Sequence, residues 1–274
     1  MFEKIMENVS KQSPLVHSIT NYVTVNDCAN MVLACGGAPI MADDINEVEE
    51  IMAICNALVI NIGTLNERTV AAMIKAGKKA NALGRPVILD PVGAGASTLR
   101  TNTVFELLKK VQFSVIRGNV SEIKTIASGS GTTKGVDADV SDAISAETLD
   151  QMIVFAKALS EKTGAVIAIT GAIDIVADSQ QALVIRNGHP MMSRITGTGC
   201  MLTAVIGSYC GANPDELLLA TAAAVSCIGL CGELAFAKVQ AQNAGTASFR
   251  GYLIDAMSLM NAETLAGGMK IETR

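Results

Sequence analysis

Residues 195–202 read ITGTGCML and set Gly197 and Gly199 directly ahead of an apolar pattern with helical spacing. Glycines let a backbone approach a ligand closely. The free N–H groups of Gly197, Thr198, Gly199 and Cys200 would then point at an anion, with the positive end of the helix dipole behind them. The alternative for so short a motif is a tight turn with an N-cap. A second segment, LDPVGAGAS at 89–97, puts Asp90 at the carboxyl end of an apolar run. In open α/β sheets ligands bind outside such strand ends, so Asp90 is placed to hold Mg2+ directly or through water; alternatively it caps the turn that follows. The next apolar run leads into Asn119 and Glu122, bringing a second carboxylate to a comparable end. Two carboxylates and the oxygens of a triphosphate make a magnesium site. The run after that closes on Thr170 and Gly171, a hydroxyl and an accessible backbone that could meet phosphate or ribose. Agreement among four segments favours the functional reading of each.

The elements that must position these groups are short runs rich in Val and Ile: residues 15–20, 38–41, 57–63, 86–90, 113–118 and 165–170. Between them lie stretches with apolar residues three and four apart, such as 69–83, 102–111 and 146–162. That alternation predicts an α/β fold with a mostly parallel central sheet flanked by helices. After Gly171 the order changes, because IDIVAD and ALVIRNG flank the polar turn Ser179, Gln180 and Gln181 and read as a β-hairpin. The C-terminal part reads as helical, with candidates at 200–210, 214–238 and 249–265. Residues 128–145, rich in Gly, Thr and Asp, form the one long irregular segment. With no repeat and no low-complexity linker, residues 1–274 are expected to form a single domain.

Composition excludes several classes. Half of the 274 residues are hydrophobic and 17% are charged, which suits a large core and excludes disorder. A net charge of -5, no basic run and no Trp argue against nucleic-acid binding. The longest uncharged stretch, 217–232, falls short of the roughly 18 residues a spanning helix needs and reads as a buried helix, so no membrane partner is expected. Seven cysteines without a Cys-x-x-Cys pair point to a reducing, cytoplasmic setting, and the charged start MFEKIMENVSK lacks the apolar core of a secretory signal. His17, His189, Cys227 and Cys231 read as structural, and so do the methionines, with Met41 excepted below. The acidic run ADDINEVEE reads as a solvated helix start.

Taken together, SITNYVTVNDCAN (18–30), GGAPIMAD (36–43), DPVGAG (90–95), RGNVSEI (117–123), AITG (168–171) and GTGCML (197–202) resemble hydroxyethylthiazole kinases of the ribokinase-like superfamily, over nearly the whole chain. The resemblance implies ATP-dependent phosphorylation of 4-methyl-5-(2-hydroxyethyl)thiazole. It implies that Arg117 and Thr170, with Gly171, contact ATP, that Asp90 and Glu122 serve Mg2+, and that Asn21, Met41 and Gly197 line the thiazole pocket. It further implies a homotrimer with the pocket at a subunit boundary, where Asn21 and Met41 serve a neighbour's phosphate site. Ribokinase itself carries Asp as catalytic base where this chain has Cys200. A helix start lowers a thiol's pKa and nearby phosphates raise it, which leaves the sign open. Three rivals share the glycine loop or fold: a hydroxymethylpyrimidine kinase, a dehydratase of hydrated nicotinamide cofactors, and a thiazole-binding protein without catalysis. The dehydratase would normally carry Asp at position 200.

Overall fold

The computed structural model describes residues 1–128, 144–145 and 147–274. Most of the irregular segment expected at 128–145 therefore lies outside the described residues. Nine strands form one sheet in the order β2-β1-β3-β4-β5-β6-β7-β8-β9. The six apolar runs become β1 (Leu15–Ile19), β2 (Ala38–Ile40), β3 (Ala57–Asn61), β4 (Val87–Asp90), β5 (Val115–Asn119) and β6 (Val166–Thr170), all parallel. Their carboxyl ends therefore share one edge of the sheet. The hairpin expected after Gly171 is β7 (Asp174–Ala177) and β8 (Ala182–Ile185), antiparallel to each other and to β6. Its turn is closed by Asp178 Oδ1, which accepts from the N–H groups of Gln180 and Gln181 at 2.8 Å each. The short β9 (Ile271–Thr273), which three residues of sequence do not announce, pairs with β8.

Strands covered on both faces read as unbroken apolar runs. In β3, Ala57 and Val59 face one core layer while Leu58 and Ile60 face the other. The first layer is closed by α1 (Glu3–Gln12), α2 (Val25–Ala34), α8 (Thr198–Ala212), α9 (Leu217–Ala241) and α10 (Thr246–Ser258). The second is closed by α3 (Val48–Ile54), α4 (Glu67–Ala82), α5 (Thr98–Lys110), α6 (Val120–Ser128) and α7 (Leu149–Thr163). The acidic run before and within α3 is largely exposed, as expected of a solvated helix start.

Two helical expectations need correction. The stretch read as 249–265 is two helices, α10 and α11 (Ala262–Gly268). They are separated because Asn261 caps α11 with its side chain, accepting from Thr264 N at 2.8 Å. The uncharged stretch that stops at Gly232 is only part of α9. This helix has 25 residues and contains an 18-residue window long and apolar enough to cross a membrane by length and composition. Of that window 78% is buried inside the fold, which accounts for its composition: a helix apolar all round is a core helix when protein surrounds it.

Candidate functional site

The parallel carboxyl edge gathers most of the singled-out groups. Asp90 ends β4 and is wholly buried. Its Oδ2 accepts from Asn61 Nδ2 at 2.9 Å and Thr203 Oγ1 at 2.8 Å, with Arg117 Nη1 at 3.5 Å, while Oδ1 has no hydrogen-bond partner. Burial raises the carboxyl's pKa, and Arg117, Thr203 and Asn61 oppose that rise. Arg117, on β5, also donates from Nη2 to Thr170 Oγ1 at the end of β6, 2.6 Å away. One guanidinium thus ties together three adjacent strand ends.

Glu122 belongs to the first turn of α6 rather than to β5 itself. Its two carboxylate oxygens accept from Gly93 N and Asn119 N at 2.8 Å each, and Asn119 Oδ1 accepts from Glu122 N in return. Burial, reinforced by the charge of Asp90, pushes its pKa up to about 7. The two carboxylates therefore sense each other, with a free oxygen, Asp90 Oδ1, on one of them. Hard oxygen donors of this kind suit Mg2+, which keeps several waters and needs only one or two protein carboxylates beside phosphate oxygens. Among the described residues no group of three or more His, Cys, Asp or Glu could hold a metal.

Above this pair stands the start of α8. Gly197 is its N-cap with φ at +90°, a conformation that favours glycine. At Gly199 an added Cβ would lie 2.5 Å from Arg117 Nη1, so the missing side chain is what lets the guanidinium rest against the helix start. The first-turn N–H groups of an α-helix lack intrahelical acceptors, and at α8 this turn packs against the Arg117 guanidinium. The Thr198 hydroxyl is turned back to donate to Met192 O at 3.3 Å.

Cys200 Sγ accepts from Asn21 Nδ2 and Asn61 Nδ2, each at 3.3 Å. Burial and then the Asp90 charge raise its pKa against donors from Thr24 and Asn61 and the charge of Arg117. Asn21 is itself fixed by Thr24, whose N–H and hydroxyl both donate to its Oδ1 at 3.1 Å. Met41 is the exception among the substrate-pocket expectations: it follows the edge strand β2, half-buried against the first core layer and outside this hydrogen-bonded cluster. Gly171 sits at the rim, where its N–H donates to Asp174 Oδ1 at 2.8 Å. His17 and His189 have structural roles. The buried His17 donates from Nε2 to Ala42 O, and His189 caps the 3₁₀ turn Pro190–Arg194 while stacking on Phe236. A cleft of about 580 Å3 lies at the opposite, amino edge of the sheet between the ends of α5 and α7, apart from all these groups.

Burial also raises the Asp174 carboxyl to about 7, from an ordinary 3.8. Folding then favours the protonated form, so this group's contribution is full below the unfolded value and is lost as pH rises through the folded one. His17 works the other way below 6.5, since its burial lowers its pKa. A paired comparison removes that term. Asp174→Asn, which keeps an oxygen for Gly171 N, is expected to gain stability relative to the parent as pH climbs from about 4 to about 7, then to hold that gain. Parallel thermal melts across this range check it; two curves that stay a constant distance apart would refute the assignment.

Sequence reasoning missed Asn61, Thr203 and Thr24. Asn61 had a usable signal: like Asp90 it is a polar residue closing an apolar strand run, in ALVIN. Thr203 lies inside an apolar helix and had none.

A mostly parallel sheet with helices on both faces, and carboxylates, an arginine and a glycine-bounded helix start at its carboxyl edge, make up a ribokinase-like fold. A ribokinase-like superfamily protein from Enterococcus faecalis superposes with a TM-score of 0.58 at 11% identity, covering 93% of this chain and 88% of that one, a likeness of fold alone. The family model for hydroxyethylthiazole kinases matches residues 6–263, and the chain belongs to that family. It is 58% identical to a hydroxyethylthiazole kinase of Clostridium acetobutylicum over 273 residues, covering all of both chains. It also superposes on the solved hydroxyethylthiazole kinase of Pyrococcus horikoshii with a TM-score of 0.88 at 33% identity, covering 100% of this chain and 98% of that one.

Proposed function

We propose that this protein transfers the terminal phosphoryl group of ATP to the hydroxyl of 4-methyl-5-(2-hydroxyethyl)thiazole, a salvage step toward thiamine, as a single-domain cytoplasmic enzyme. The observation that carries the reaction type is the convergence of Asp90, Arg117 and Cys200 at the start of α8. The substrate follows from the name of the full-length relative. The reducing compartment is supported by seven free cysteines.

In this reading Arg117, Thr170 and Gly171 hold ATP, and the N–H groups of residues 197–200 receive the transferring phosphoryl. Asp90 and Glu122 would hold Mg2+, which would supply positive charge to offset that of the phosphates. The substrate oxygen forms a bond to the terminal phosphorus as the bond to the ADP oxygen breaks, and the hydroxyl proton, which the Cys200 thiol faces, is released to water as the bond forms. A raised pKa keeps Cys200 protonated, so little thiolate is present to act as a base, and positioning and charge stabilisation dominate. Asn21 and Gly197 border the alcohol. Met41 is assigned to a neighbouring subunit's pocket in a homotrimer, a reading supported by its place outside the local cluster. The exposure of Tyr22 and Val23 beside Asn21, at 78% and 57%, offers apolar surface for such a boundary.

The test is ATP consumption with Mg2+ and one alcohol at a time, each product checked by mass. Turnover of hydroxyethylthiazole above hydroxymethylpyrimidine and pyridoxal supports the proposal; selective turnover of another alcohol rejects the pocket assignment. Cys200→Asp is expected to keep activity within about tenfold of the parent and can exceed it, because the base adds little to a loose transition state. A folded Cys200→Asp protein with no turnover would contradict that expectation.

A further inference from the structure

We propose that Asn61 is a positioning residue that sets Cys200 against Asp90, and so aligns the hydroxyl end of the site with its phosphate end. The proposal rests on the phosphotransfer reading above. Asn61 ends β3 beside Asp90 on β4, the two being register partners across the parallel ladder. It is only 2% exposed and its side-chain amide is fully engaged. Nδ2 donates to Asp90 Oδ2 at 2.9 Å and to Cys200 Sγ at 3.3 Å. Oδ1 accepts from Gly63 N at 2.9 Å and Asn21 Nδ2 at 3.1 Å.

The orientation of this amide follows from its partners. The reverse placement would set Asn61 Oδ1 against Asp90 Oδ2 and its N–H groups against the Gly63 and Asn21 donors. Among the described residues, Thr203 donates to Asp90 and Asn21 donates to Cys200, while Asn61 donates to both. An amide suits this place because one nitrogen carries two N–H groups in a fixed plane and the same group still accepts at its other end. A hydroxyl has one proton and cannot serve two acceptors. A carboxylate has none. With amides from Asn21 and Asn61 both donating to Sγ, the sulfur is held from two sides at a fixed place above the Asp90 carboxylate.

Two substitutions separate positioning from simple packing. Asn61→Asp keeps the volume and the oxygen that serves Gly63 and Asn21 but removes the donor to Cys200, because the one proton a buried carboxyl can hold here is shared with Asp90; Asn61→Ala removes everything. Each is expected to lower kcat by about 10²-fold while KM for ATP stays within about threefold, since small misplacements of reacting groups act on the chemical step. A second readout does not depend on the substrate. Iodoacetamide labelling of Cys200, followed by peptide mass, is expected to slow by about threefold or more in both variants, with Cys35 as the unaffected half-buried control. Failure of the thiazole assay in the parent would reject the proposed function yet leave this labelling result readable. Parent-like kcat and Cys200 labelling in a folded Asn61→Asp protein would overturn the positioning role. Should neither variant fold, the side-chain amide resonances of Asn61 in the parent decide the matter. Cys200→Ala must shift one of the two Nδ2–H signals, and two unmoved signals overturn the proposal.

Discussion

Replacing Asp90 by Asn is expected to lower kcat/KM by on the order of 10³-fold while leaving the fold intact. The side chain keeps its volume in a wholly buried position, and the remaining oxygen can still accept from Thr203 and Asn61. What changes is charge and the atom at Oδ1. In the native chain that oxygen has no partner and is an available acceptor for a cation or its water; in the variant an NH2 group stands there and repels either. Arg117 also loses its counter-charge at 3.5 Å, and the guanidinium that bridges to Thr170 is no longer held between two strands. Glu122 responds as well. With the Asp90 charge gone, one of the causes that lifts its pKa to about 7 disappears, so it ionises more readily. That compensation is limited, because both of its oxygens are already engaged by backbone N–H groups. The measurement is steady-state kinetics over a range of Mg2+, beside a thermal melt. A properly folded Asn variant within tenfold of the parent would remove Asp90 from the metal assignment.

Arg117 was legible only through resemblance, whereas the reason Asp90, Glu122 and Thr170 were legible in sequence is the parallel sheet itself. Each lies at or just past the end of an apolar run, and in a parallel sheet all such ends share an edge, so one local pattern repeated along the chain becomes a cluster in space. Thr203 could not be read that way: its hydroxyl meets Asp90 across 113 positions of sequence, from inside a helix that otherwise reads as core. Asn61 carried the strand-end signal, but Asn is also a common turn residue, and only its four hydrogen bonds distinguish the roles. The helix read over 214–238 runs through Glu233 as α9. In α9, Glu233 reaches out to Lys270 at 2.8 Å and to Asn187, so it marks the rim of the core and not the end of the helix. Met41 was legible only through resemblance, since a half-buried methionine beyond an edge strand has no local signature of a binding residue.

Gly197→Ala is expected to lower kcat by about 10²-fold, and the structure separates two causes that a second substitution can weigh. The first is conformational. With φ at +90°, a residue bearing Cβ sits in a strained region, at about 1–3 kcal/mol, and relief would rotate the first-turn N–H groups of α8 away from the anion they are proposed to receive. The second is steric. The new Cβ would lie 2.6 Å from Thr24 Cγ2, a contact that cannot stand. Displacing Thr24 takes with it the two donors that fix Asn21, and Asn21 is one of the two amides on Cys200 Sγ. Thr24→Ser removes only the offending methyl and retains the hydroxyl that bonds Asn21. The pair Gly197→Ala and Thr24→Ser therefore forms a double-mutant cycle between contacting residues, where non-additivity is the signal. The expected result is partial recovery: the double variant works about tenfold better than Gly197→Ala but stays below Thr24→Ser, because the clash is relieved and the backbone strain is not. Complete recovery would mean that the positive φ at position 197 contributes nothing to phosphoryl placement. Strict additivity would mean that Thr24 does not transmit the disturbance to Asn21 and Cys200, leaving backbone geometry at the helix start as the whole effect.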